Sequence, residues 1–227
     1  ITGVFLPSVT EMVTKRVDTA ELSQLFIKIG RIQFYILALI GIGFIIFGKE
    51  FIILWAGADF VDAYYMALLI MLPFVTDLIQ NIGFTILQAM NRYHIRAVVY
   101  SIVGIMNLLL AIPLGIKYGG IGCAAATGLC MFLGNGIGMS YCYKHYLNLN
   151  MLEFWRQILR ILLKLCIFIL LPGYLLNLWL LGYVSGGMIL LIKLVSFAVV
   201  YVFFVYNFCF NAKETKLFTS FLKRYHE

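Results

Sequence analysis

Polar side chains recur along one long apolar stretch in the first half of the chain. Counted from the first of them, the others follow at three, four, eleven and fourteen residues. At about 100° per residue, this spacing places all of them on one side of a helix. Carboxylate and amide groups arranged in this way could bind a proton or a cation, or could line a watery path. The five residues are Asp77, Gln80, Asn81, Gln88 and Asn91.

Asp77 is the single formal charge between Ala63 and Asn91. If this stretch crosses a bilayer, a charge at its middle costs about 2.5–3.5 kcal/mol on insertion scales. Pro73 lies on the same side and weakens the local backbone hydrogen bonding. We therefore favour a translocation path lined by the five residues, with Asp77 as a candidate coupling residue. Hydrogen bonding between packed helices remains the alternative.

The composition indicates that the elements carrying these residues are membrane spans. Hydrophobic residues make up 63% of the chain and charged residues only 12%, whereas about a quarter of the residues are charged in a soluble domain. Lipid cannot satisfy backbone polar groups, so apolar runs near 20 residues long should be helices. The runs are Phe34–Gly48, Ala63–Asn91, Ala97–Ile116, Tyr118–Tyr143 and two helices within Leu165–Phe208.

These runs predict an all-α polytopic membrane protein. It should have about six full transmembrane helices plus the end of another at Ile1–Val13. The longest loop on the side with few basic residues is predicted at Lys49–Asp62. Lys193 lies inside the last span, where it either reaches toward the interface or meets an acidic partner.

The basic residues alternate between loops. Fourteen Lys and Arg residues fall on one side of the predicted bilayer and two on the other. Such a bias marks the basic side as cytoplasmic and predicts a cytoplasmic C-terminus. Lys28 and Arg31 flank the first full span on that side. They are possible contacts for an anion such as pyrophosphate, although topology alone would also explain them.

Signatures of catalysis, metal binding and nucleic-acid binding are not visible in the sequence. The five cysteines all lie in apolar runs without a CxxC pair, and the histidines are isolated from one another. We find no metalloprotease motif, phosphate-binding glycine loop or nucleophile elbow. The basic residues form short runs between spans and not a continuous patch. We therefore expect no enzyme activity, no cofactor, no metal and no nucleic-acid partner.

Three segments of the chain together resemble one family of membrane transporters. They are FLPSVTEM at Phe5–Met12, the Trp- and Gly-containing turn and helix at Phe47–Pro73, and the segment Leu87–Thr127 with its mid-helix Asn and Tyr-Gly turn. The chain resembles, over about Ile1–His145, the C-terminal half of the Wzx-like O-antigen and capsule polysaccharide flippases. These belong to the multidrug/oligosaccharidyl-lipid/polysaccharide superfamily.

The resemblance implies one lobe of a two-lobed transporter bundle that works by alternating access in the bacterial cytoplasmic (inner) membrane. The implied substrate is an undecaprenyl-pyrophosphate-linked oligosaccharide, and the other expected partners are membrane lipids and an N-terminal lobe of the same protein. Three alternatives remain open: a cation-coupled multidrug antiporter of the same superfamily, a membrane polysaccharide polymerase, and a non-catalytic structural subunit in which the polar stripe serves packing only.

We expect four regions. Residues 1–145 form the partial flippase lobe, and residues 146–164 form a cytoplasmic linker that either lies along the interface or extends the next span. Residues 165–209 form an extra pair of transmembrane helices, and residues 210–227 form a cytoplasmic tail.

Overall fold

The fold is built from helices alone in the part of the chain that the structure describes. The structure is a computed structural model, and it describes residues 6–14, 18–180 and 187–209. Five helices in these residues are long and apolar enough to cross a membrane. The predicted all-α, polytopic class is confirmed at this level. The five are Thr19–Ala56, Ala58–Ala89, His94–Leu147, Met151–Leu175 and Gly187–Cys209.

The described residues contain nine α-helices, with short turns of other helical types between or after them. The α-helices are α1 Leu6–Thr14, α2 Thr19–Ala56, α3 Val61–Leu78, α4 Asn81–Ala89, α5 His94–Met131, α6 Met139–Leu147, α7 Met151–Leu165, α8 Leu171–Leu180 and α9 Gly187–Phe204. A 3₁₀ turn at Ala58–Phe60 precedes α3, and π-helical turns at Phe132–Gly138, Cys166–Leu170 and Val205–Cys209 follow α5, α7 and α9.

The long helix α5 folds back on itself at Gly119. The backbone of this residue has φ 60° and ψ −143°, a conformation that glycine adopts more readily than other residues. Across the resulting hairpin, the Thr127 hydroxyl lies 3.3 Å from Asn107 Oδ1. The two arms correspond to the separate spans predicted at Ala97–Ile116 and Tyr118–Tyr143. Both arms lie in the continuous stretch His94–Leu147, which is one of the five helices named above. The total of six spans therefore stays a prediction.

Small residues let the second arm of this hairpin pack closely on α3. Gly128 faces the backbone carbonyl of Leu69 and the ring of Pro73. Proline has no N–H, so it leaves the carbonyl four residues earlier without its usual helical partner. A side chain at position 128 would collide with that carbonyl, and glycine therefore permits the contact.

The core lies where α2 meets α4, α6 and α7. Phe154 of α7 is fully buried and packs edge-to-face on Phe26, with ring centroids 4.8 Å apart. Gly30 leaves room for the Phe154 ring. Because its apolar face covers this core, α7 is held on the bundle, and it continues through Cys166–Leu170 into α8.

Two predicted boundaries are wrong. The outer loop predicted at Lys49–Asp62 is helical in its first part, because α2 continues to Ala56 and reverses only at Gly57, where φ is 104°. The predicted single helix Ala63–Asn91 is two helices, α3 and α4, with a turn at residues 79–80. The predicted break near residues 181–186 and the tail 210–227 lie outside the described residues.

Candidate functional site

The turn between α3 and α4 falls inside the predicted polar stripe. Asp77 lies in the last turn of α3, Gln80 in the break, and Asn81 at the start of α4. The backbone N–H of Gln80 bonds to the Asp77 carbonyl (3.1 Å), and that of Gly83 bonds to the Gln80 carbonyl (2.8 Å). Each of these bonds spans three residues, whereas a regular α-helical bond spans four. The helix is therefore interrupted here, and the five residues do not form one continuous helical face.

A tight turn after α4 brings α5 back alongside these residues. Asn91 has φ 56°, a left-handed conformation that asparagine tolerates. The N–H of Arg92 bonds to the Leu87 carbonyl (2.8 Å), and the N–H of Asn91 bonds to the Gln88 carbonyl (2.9 Å). This is a Schellman ending of a helix. It places position 96 opposite position 81, and position 100 opposite position 77.

The resulting carboxylate cluster consists of Asp77, Asn81, Arg96 and Tyr100. The Tyr100 hydroxyl lies 2.7 Å and 2.8 Å from the two oxygens of the Asp77 carboxylate. Arg96 Nη2 donates to the Tyr100 oxygen (2.6 Å) and lies 3.6 Å from Asp77 Oδ2. Arg96 Nη1 donates to Asn81 Oδ1 (3.0 Å). One guanidinium therefore connects every other member of the cluster.

The cluster is largely withdrawn from solvent and is balanced in charge. The side chains of Arg96 and Asp77 are 19% and 12% exposed. The guanidinium carbon of Arg96 lies 4.4 Å from the centre of the Phe84 ring and 4.8 Å from that of Tyr100, which adds cation–π attraction. A planar guanidinium suits such stacking and can also bind a carboxylate or phosphate with two hydrogen bonds. The cluster is thus neutral overall, because one guanidinium balances one carboxylate.

Gln80 belongs to a separate network that joins three elements. Its Nε2 donates to the Thr76 carbonyl (2.9 Å) and to the Gly136 carbonyl (3.3 Å). Its Oε1 lies 2.9 Å from the Ser140 hydroxyl, which also accepts a hydrogen bond from Trp155 Nε1 (3.0 Å). Gln80 is almost fully buried, so its amide fixes the helix break to α6 and α7.

The remaining predicted residues do not join the cluster. Gln88 and Asn91 are exposed, and Asn91 has a clear backbone role in the turn after α4. Lys28 is exposed as well. Arg31 is buried and donates to Tyr35 (2.9 Å), to Gln157 (3.0 Å) and to the Cys209 carbonyl (3.3 Å). The predicted pair of Lys28 and Arg31 is therefore not brought together.

Sequence reasoning missed Arg96 and Tyr100, the two partners of Asp77. The predicted span Ala97–Ile116 leaves Arg96 outside the helix, although α5 begins at His94. The spacing of these residues in the sequence does indicate the contact. Arg96 and Tyr100 are four residues apart, as are Asp77 and Asn81, and a short turn between antiparallel helices aligns the two pairs.

Metal binding has no evident place in this arrangement. In the described residues no group of three or more His, Cys, Asp or Glu side chains could hold a metal ion. What the site offers is a largely buried arginine whose anionic partner is the Asp77 carboxylate. Comparison of the chain with models of protein families, with curated proteins and with solved structures gave no match.

Proposed function

We propose that this chain is one lobe of a membrane flippase that moves an undecaprenyl-pyrophosphate-linked oligosaccharide across the bacterial cytoplasmic membrane, for surface polysaccharide biosynthesis. The observation that carries the proposal is the carboxylate cluster, a buried ion pair between apolar helices. The substrate class rests on the resemblance of Phe5–Met12, Phe47–Pro73 and Leu87–Thr127 to the Wzx-like flippases. The other lobe would be an N-terminal repeat of the same protein.

Exchange of partners at Arg96 would couple substrate binding to movement. In the resting state Arg96 is bound by Asp77, Tyr100 and Asn81. A phosphate group of the substrate would compete with the Asp77 carboxylate, because arginine binds both groups in the same bidentate manner. If Arg96 left Asp77 for the phosphate, the link between α3 and α5 would loosen. The two helices would then have a linked and an unlinked state, and alternating access requires an element with two states.

The cluster would face the cytoplasmic side of the membrane. The turn at Asn91 lies close to the end of α6, because Arg92 Nη1 donates to the Tyr146 carbonyl (3.2 Å). The beginning of α7 lies near the beginning of α2, because the N–H of Asn150 donates to the Ser23 hydroxyl (3.2 Å). These contacts gather the basic segments at one end of the bundle, and basic segments favour the cytoplasm.

The geometry weighs against the cation-coupled antiporter. A fixed positive charge beside a carboxylate disfavours the binding of a further cation there. The Arg96 guanidinium lies 3.6 Å from Asp77 Oδ2 and already compensates its charge. We therefore assign the carboxylate to holding the arginine, and propose a transporter without enzymatic activity.

A complementation experiment tests this function. The full reading frame containing this chain should restore surface polysaccharide in a strain that lacks its own polysaccharide flippase. Asp77→Asn should reduce export at least tenfold at unchanged protein level, since Arg96 would lose its exchangeable anion. Asp59→Asn is the matched control, because Asp59 is an exposed residue in the turn before α3, and export should stay normal.

Failure of the unmodified frame to restore any polysaccharide would contradict the proposed substrate. Normal export with Asp77→Asn would contradict the role of the cluster while leaving the substrate class standing.

A further inference from the structure

A polar cavity lies between α2, α7 and the final π-helical turn. Its volume is about 260 Å³. Three cationic side chains line it, and no carboxylate is among the described lining residues. The basic pocket consists of Arg31, Gln157, Arg160, Ile161, Lys164 and Cys209.

The three cationic side chains of the basic pocket come from two helices, α2 and α7. Arg31 extends from α2 and is fixed by Tyr35 and Gln157. Lys164, on α7, donates to the Phe208 carbonyl (3.2 Å). Arg160 lies one turn before Lys164 on the same face of α7, and it makes no hydrogen bond or ion pair with a described residue. Its guanidinium is therefore available to a ligand.

Apolar surface continues directly from these cations. Leu163 and Ile167 are 60% and 54% exposed. Ile167 follows Arg160 by seven residues and Lys164 by three, so at helical spacing it shares their side of the helix. The helix thus presents positive charge at one end of this surface and an exposed apolar strip further along. This order matches an amphiphile with an anionic head and an acyl chain.

We propose that the basic pocket binds the phosphate group of an anionic membrane lipid, whose acyl chain lies along Leu163 and Ile167. Arginine binds phosphate oxygens with two parallel hydrogen bonds, and lysine adds a point charge. Basic pockets between membrane helices on the cytoplasmic side are known to suit lipid head groups. This site is separate from the carboxylate cluster and does not depend on the proposed flippase function.

Lipid retention by the full chain tests the proposal. The protein in a neutral detergent would be titrated with phosphatidylglycerol, with diacylglycerol carrying the same acyl chains, and with inorganic phosphate, and bound lipid would be read by native mass spectrometry. We expect phosphatidylglycerol to bind. Arg160→Gln should weaken its binding about tenfold, the effect of losing one charge-assisted hydrogen-bonded contact.

Arg156→Gln is the matched control. Arg156 lies on the same helix, carries the same charge and is 65% exposed beside Glu153, but it does not line the basic pocket. This variant should bind phosphatidylglycerol within about twofold of the unmodified chain, since a rim charge contributes little. Equal melting temperatures of the two variants would show that both are folded.

The three probes separate the possible sources of the ligand. Binding of phosphatidylglycerol that is weakened by Arg160→Gln alone supports the lipid site. Displacement of that lipid by inorganic phosphate at equal concentration would support phosphate recognition but assign the ligand to a soluble source. Equal loss with Arg156→Gln, no loss with either variant, or equally tight binding of diacylglycerol would overturn the proposal.

Discussion

Two largely buried ion pairs join helices in the described part of the chain, and they are built differently. The pair of Asp77 and Arg96 joins α3 to α5, which are separated in the sequence only by the short helix α4 and its flanking turns. Its charged atoms are 3.6 Å apart, with the Tyr100 hydroxyl and Asn81 sharing the contact. The pair of Glu50 and Lys193 joins α2 to α9, far apart in the sequence.

The second pair is direct and has no supporting groups. Lys193 Nζ lies 3.1 Å from both oxygens of Glu50, and the side chains are 13% and 16% exposed. The described residues offer neither of them another polar partner. The contact also decides between the two possibilities that the sequence left for Lys193: this side chain meets an acidic residue of its own chain.

The difference separates a pair with one partner on each side from a pair embedded in further polar contacts. A buried charge whose single partner is removed remains uncompensated, which is strongly destabilising. Arg96 would keep a hydroxyl, an amide and two aromatic rings if Asp77 lost its charge. Breaking the first pair should therefore cost less free energy than breaking the second.

The largest effect is expected from Glu50→Gln. Lys193 would remain buried without a counter-charge, so the free energy of unfolding should fall by about 3 kcal/mol. Unfolding in mixed detergent micelles would measure it. The double variant Glu50→Gln/Lys193→Met should recover most of the loss, because no charge remains buried. A double variant as unstable as Glu50→Gln would show that the pair itself is not the cause.

A smaller loss is expected from Asp77→Asn. Arg96 keeps Tyr100 and Asn81 as partners, so the free energy of unfolding should fall by about 1–2 kcal/mol in the same assay. The expected difference between the two ion pairs would be contradicted if this variant were as unstable as Glu50→Gln. Asp77 would then be a structural residue, and any loss of export with Asp77→Asn would follow from misfolding.

The smallest effect is expected from Phe84→Leu. This change keeps an apolar side chain but removes the ring that lies 4.4 Å from the Arg96 guanidinium. We expect a loss of about 0.5–1 kcal/mol. In the Asp77→Asn background the loss should become larger, because the arginine then depends more on its rings. Additive losses in that double-mutant cycle would show that Phe84 does not hold Arg96.

Much of the architecture could be predicted because its signals are local. Long apolar runs indicated helices, and Asp77 was identified because a charge in such a run is costly. The two arms of α5 were predicted as separate spans because the charge of Lys117 lies between Ala97–Ile116 and Tyr118–Tyr143. The end of α2 was missed because Lys49 and Glu50 suggested a loop. Glu50 instead lies within the helix, and Lys193 compensates its charge from α9.

The candidate site was predicted in part. Asp77 and Asn81 share a cluster, but Gln80 faces Ser140 and Trp155 because the backbone turns between α3 and α4. That turn cannot be recognised from helical periodicity, which assumes a continuous helix. The anion contact was assigned to Lys28 and Arg31 on proximity in the sequence, whereas Arg31 packs inward and meets residues of α7.

By itself, the sequence determined that this chain is helical, apolar and polytopic, and that Asp77 is a costly charge within a long apolar run. These properties depend on residue type and on spacing within one helix. Only the tertiary structure decided that the partners of Asp77 are Arg96 and Tyr100, that Lys193 meets Glu50, and that Arg31, Arg160 and Lys164 share one pocket. Those choices depend on how helices distant in the sequence are aligned, and packing between helices fixes that alignment.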